Sequence, residues 1–88
     1  MKLKQTFIVY EAGEDTFLTA VGGEAFSGLV RLNKSAAFIV GCLDHDTTRE
    51  EVIGRMTDTY DAPAEVIARD VDRALDKLRE VGALEEAD

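Results

Sequence analysis

The chain has 88 residues, with one proline, one cysteine, one histidine and no tryptophan, a length that fits one domain and no more. Apolar residues make up 45% and charged residues 32%, which is enough to fold alone and excludes a disordered chain. Eighteen acids against ten bases give a net charge of −8, and a field of that sign opposes nucleic acid and anionic lipid as partners.

The lone Cys42 rules out a disulfide framework and points to a reducing, cytoplasmic setting. No apolar run is long enough to span a membrane, and Met1-Lys2-Leu3-Lys4-Gln5 lacks the apolar core of a signal peptide. Residues 1–34 are neutral, with Lys2, Lys4, Arg31 and Lys34 against Glu11, Glu14, Asp15 and Glu24. The acidic excess therefore lies in residues 35–88.

Residues 3–10 are β-branched and aromatic enough for a strand. Residues 11–15 read as a turn, and Thr16 to Val21 as the second strand of a hairpin. A flexible connection follows over residues 22–28, with glycine at both ends, and Leu29 to Leu32 makes a short third strand. Asn33 suits the N-cap of a first helix running from Ser35 to Leu43, apolar nearly all round and so expected at the centre. Thr48 opens a second helix, and Glu51 completes a capping box. Its apolar face is Val52, Ile53, Met56 and Tyr60. Pro63 fits the first turn of a third helix, and Gly82 is placed to end it as the C′ residue. The order predicts an α+β domain, a three-stranded antiparallel sheet followed by three helices in a winged-helix-like arrangement. Residues 1–32 form the sheet and 33–84 the helical part of one domain over residues 1–88.

Helix three carries the most information. Ile67, Val71, Ala74, Leu78 and Val81 repeat at spacings of four and three, and Ala64, Ala68 and Leu75 widen the stripe on one flank. The resulting arc covers roughly 140°, wider than the ~100° of an ordinary surface helix, so part of it can face something besides the core. Asp70, Arg73 and Lys77 line the other flank.

Catalysis finds little support. Cys42 and His45 are three apart, yet no second cysteine or histidine exists to complete a metal site or a triad. Asp44, Asp46, Glu50 and Glu51 stand where acids favour a helix N-terminus. The glycines match neither a dinucleotide fingerprint nor a phosphate loop. The chain reads as a non-enzyme with no cofactor and no metal.

From Gly28 onward the order of features is distinctive: Gly28-Leu-Val-Arg-Leu-Asn33, Lys-Ser-Ala-Ala-Phe-Ile, Thr47-Thr48-Arg-Glu-Glu-Val-Ile, Tyr60-Asp61 before Pro63, Asp70-Val71, and Leu78-Arg-Glu-Val-Gly-Ala-Leu84. Across residues 3–85 this resembles the PqqD family, whose weight as a match comes from order and spacing and not from any single motif. The chain departs from it in the later half of helix one, where relatives often carry a tryptophan and Ile39-Val40-Gly41-Cys42-Leu43 stands here.

The resemblance implies a recognition element that binds the leader segment of a ribosomally made precursor peptide. Such a domain presents the peptide to a modifying enzyme, often a radical S-adenosylmethionine enzyme. The leader is expected to add as a strand to the third strand, in the groove facing helix three. The residues this places at the peptide are Leu29, Val30, Arg31 and Leu32 on the strand, and Ile67, Val71, Leu75 and Leu78 on the helix. Arg31, Arg73 and Lys77 would pair with acidic leader residues. A free strand edge also allows a homodimer by edge pairing or domain swapping.

Two other readings compete. A winged-helix DNA-binding regulator needs an outward basic recognition helix, whereas Arg69, Asp72, Arg73, Asp76, Lys77, Arg79 and Glu80 alternate in sign. A structural adaptor of a biosynthetic enzyme complex would need no peptide contact at all.

Overall fold

In the computed structural model, which describes residues 1–21 and 28–86, the chain runs β1 (Lys2–Leu3), β2 (Phe7–Ala12), β3 (Asp15–Ala20), β4 (Leu29–Leu32), α1 (Lys34–Cys42), α2 (Arg49–Thr59), α3 (Ala64–Glu80) and β5 (Leu84–Glu85). The main sheet has the order β2-β3-β4, antiparallel throughout. Gly13 and Glu14 alone connect β2 to β3, and Gly13 has φ +65°. A two-residue hairpin with glycine at its first central position matches the right-handed twist of the strands it joins.

The register places Leu18 between Val9 and Val30. Phe7, Leu18, Val30 and Leu32 therefore share one face of the sheet, because side chains alternate along a strand. Phe7, Leu18 and Leu32 join one core cluster with Ile39, Val40 and Leu43, with Val52 and Met56, and with Ile67, Val71, Leu75 and Leu78. α1 and α3 thus cover one face of the sheet, with α2 packed against both of these helices. On the other face Ile8, Tyr10 and Leu29 are exposed, and Tyr10 stacks on Phe17 at 5.6 Å between ring centroids.

The helix ends explain themselves locally. The Asn33 side chain accepts from Ala36 N–H at 2.8 Å. Thr48 Oγ1 accepts from Glu51 N–H at 3.2 Å, so half of the expected capping box forms. The Glu51 carboxylate instead accepts from the hydroxyl of buried Thr47 at 2.9 Å. Pro63 stands one position earlier than expected, at the N-cap of α3, and its carbonyl accepts from Val66 and Ile67. Gly82 ends α3 with φ +78°. Gly82 N–H donates to Arg79 O, and Ala83 N–H to Leu78 O, which is the paired pattern of a Schellman motif.

One expectation needs correction. Residues 3–10 do not form one strand: a turn closed by Phe7 N–H donating to Lys4 O separates β1 from β2. β1 instead pairs with β5, which the sequence did not suggest, with Leu3 opposite Leu84 and Lys2 opposite Glu85. Leu3 N–H also donates to Leu43 O, and Lys4 N–H to Ala83 O, so the first residues strap the ends of α1 and α3. The glycine-bounded connection expected over residues 22–28 lies outside the described residues apart from Gly28.

Candidate functional site

β4 is the last strand of its sheet. It pairs with β3 on one side, and among the described residues no strand pairs with its other side. Along such an edge, alternate backbone N–H and C=O groups point away from the neighbour and remain available. Burial alternates along it, with Leu29 and Arg31 exposed, Val30 half-buried and Leu32 buried, so the latter two face the helices.

A cleft of about 290 Å³ runs beside β4. Val30, Arg31 and Leu32 form one wall, and Asn33, Ser35 and Ala36 lie at the junction with α1. Asp70, Arg73, Ala74 and Lys77 form the α3 wall. They share a wall because i, i+3, i+4 and i+7 fall on one side of a helix. Deeper in is a narrow apolar recess of about 30 Å³, bounded by Leu18, Val30, Leu32, Ala36 and Val40 on one side and Ala74, Leu78 and Val81 on the other. Lys77 also touches it, its apolar stem suited to such a wall while its ammonium reaches water.

The charges around the cleft differ from those of the chain. Three bases, Arg31, Arg73 and Lys77, meet one acid, Asp70, on its lining, against ten and eighteen overall. Arg31 is paired with Asp15 at 2.9 Å, and Lys77 lies 3.9 Å from Glu80. Arg73 and Asp70 have no hydrogen-bond or ion-pair partner among the described residues. An adjoining shallower opening is shared by Lys34, Arg31, Glu14 and Asp15.

Of the residues expected at a peptide, Val30, Arg31, Leu32, Arg73, Lys77 and Leu78 come together around the cleft and its recess. Leu29 stands at the start of the same edge, 56% exposed. Ile67, Val71 and Leu75 do not line it. They are at most 2% exposed within the core, because the centre of the apolar stripe packs in the core with α1 and α2 while only its edge reaches the cleft. Sequence reasoning placed Ala74 and Val81 in that stripe and missed Ala36, Ser35 and Asn33 as lining. The position of Ala74 next to the Asp70–Arg73–Lys77 flank was the available signal for its boundary role.

Cys42 and His45, weighed from sequence for other chemistry, do not line the cleft or its recess. Cys42 is buried in the core, and burial pushes its thiol pKa up, the direction that disfavours a nucleophilic thiolate. His45 is exposed and contacts Asp44 through Nδ1. Among the described residues no group of three His, Cys, Asp or Glu side chains could hold a metal ion, and no helix is long and apolar enough to cross a membrane.

With that geometry in view, the relatives can be placed. The model of the family described as coenzyme PQQ synthesis protein D (PqqD) matches residues 7–84. The chain belongs to the PqqD family. The matched span of this PqqD-family chain runs from the first residue of β2 to the first residue of β5, and so includes the cleft and both of its walls. Among solved structures, the chain is similar to TbiB1 in complex with the TbiA(beta) leader peptide, with a TM-score of 0.80 at 19% identity and all of both chains covered. At that identity the likeness concerns the fold. No curated protein matches the chain.

Proposed function

We propose that this chain is a non-catalytic recognition element, one unit over residues 1–88, that captures the leader segment of a ribosomally made precursor peptide by strand addition to β4. The observation that carries the reading is the edge of β4, unpaired among the described residues, beside a cleft walled by α3. Strand addition takes affinity from main-chain hydrogen bonds and selectivity from pockets that receive alternate side chains. The edge and the recess provide these two components side by side. Membership of the PqqD family and likeness to a fold solved with a leader peptide support the same reading.

In this reading Leu29 to Leu32 bond the leader backbone, and Val30, Leu32 and Leu78 contact its inward side chains. Arg31, Arg73 and Lys77 meet acidic leader residues at the rim, where charges govern association rate more than affinity. Ile67, Val71 and Leu75 act beneath, by holding α3 in place. A disordered leader loses conformational entropy when it docks, which keeps binding reversible and allows transfer to a modifying enzyme, for which the family resemblance suggests a radical S-adenosylmethionine enzyme.

The test is a titration of isotope-labelled protein with the leader segments of precursor peptides encoded beside its gene, followed by backbone amide shifts. Shifts concentrated at Leu29–Leu32 and along the Asp70–Lys77 face support strand addition. A neighbouring leader at saturating concentration that moves neither segment overturns it and favours the adaptor reading.

A further inference from the structure

The cleft is not uniform, and its two ends ask for different side chains. At its mouth, Arg73 is a guanidinium without a partner among the described residues, on a chain whose surface is otherwise rich in acids. A carboxylate arriving there would form a charge-assisted hydrogen bond, strongest when bidentate. Arg31 and Lys77 already have Asp15 and Glu80 beside them and serve as outer rim contacts, and Asp70 shares the lining, so the mouth itself takes one carboxylate, at Arg73. The inner recess is apolar and about 30 Å³ in volume. Ala36 and Ala74 are both on its wall, and a larger residue at either position would close it. Such a space fits a compact aliphatic group and excludes an aromatic ring.

The spacing of the two ends can be estimated. The recess residues on and just after α3, Ala74, Leu78 and Val81, are centred between four and five residues beyond Arg73, about 7 Å along a helix axis. Alternate residues of a strand, the ones that point to the same side, are separated by about 6.7 Å. One peptide strand along β4 would therefore present two successive inward side chains to the two ends.

We infer that the groove selects extended peptides in which a compact aliphatic residue and an Asp or Glu stand two positions apart, the aliphatic group in the recess between Ala36, Ala74 and Leu78 and the carboxylate on Arg73. This specificity rests on the strand-addition reading and extends it to the chemistry of the peptide.

The test is selection of phage-displayed random dodecapeptides on the full chain, with the enriched peptides then titrated into labelled protein. The expected result is a shared aliphatic–x–acidic pattern, in either chain direction, with amide shifts on β4. Arg73→Glu, at an exposed position, should weaken these peptides by about fivefold, the upper end for an exposed ion pair, and Lys in place of the peptide acid should restore binding. Ala74→Leu should cost more than about tenfold by filling the recess, with circular dichroism confirming that the variant folds. Peptides that shift β4 without the pattern, or that ignore Arg73→Glu, overturn the specificity and leave strand addition standing. Enriched peptides that leave β4 unshifted, or an absence of enrichment, overturn both.

Discussion

Arg49 and Asp72 form a two-pronged ion pair, Nε to Oδ1 at 2.7 Å and Nη2 to Oδ2 at 3.0 Å, that ties the first residue of α2 to the middle of α3. The Arg49 hydrogen bond holds the Asp72 carboxyl below the usual carboxylate range. A carboxylate with a depressed folded pKa contributes stability above its unfolded value, near pH 4, and loses it as pH falls through the folded value. Thermal melts should therefore show wild type losing more stability than Asp72→Asn on acidification below about pH 4. At neutral pH the difference should be small and shrink with salt, because both side chains are about half exposed.

Leu75 is 1% exposed and Ala74 beside it is half-buried at the cleft, so the two neighbours should fail differently. Leu75→Ala is expected to cost about 2–5 kcal/mol in denaturant unfolding, through lost burial and the cavity left behind. In a domain of this size that is a large part of total stability. Ala74→Leu should leave the unfolding midpoint near wild type, since its side chain extends into open recess.

Glycine substitutions should split by backbone conformation. Gly54 lies inside α2 with open space where a Cβ would sit and no positive φ. Gly54→Ala should therefore raise stability by about 0.5–1 kcal/mol. Gly82 also has open space but φ +78°, and Gly82→Ala should lower stability by about 1–2 kcal/mol by forcing an L-residue into the left-handed region. Paired urea titrations of the two variants give opposite signs if this is right.

The Cys42 thiol should resist labelling in the native protein and react on unfolding. It is 1% exposed, and desolvation raises its pKa, so both access and thiolate fraction are low. Stoichiometric modification by a thiol reagent at neutral pH, at the rate seen in denaturant, would contradict this placement.

Much of the architecture could be read from the chain because local chemistry and tertiary packing agree. Leu29–Leu32 is the strand its residues suggest, and Asn33, Thr48 and Gly82 punctuate the helices as their side chains or lack of one require. The pairing of Lys2–Leu3 with Leu84–Glu85 was not legible. Two residues carry no periodicity, and what fixes them is contact with Leu43 and Ala83 from other elements. The cleft was half legible. Arg73 and Lys77 stand out by charge on a flank, but an apolar arc cannot say which of its residues turn inward. Ile67 and Ala74 both belong to the stripe, and only the position of β4 and α1 decides that one is core and the other wall.

The shortness of β4 also limits how much it can know about a partner. Four residues of edge meet about four residues of an added strand, and a pleated strand turns only every second side chain inward. If a peptide adds there as proposed, such a reader inspects two letters. A peptide population recognised there could drift freely at its remaining positions, so selection would leave a faint consensus and a single recogniser could serve many diverging precursors.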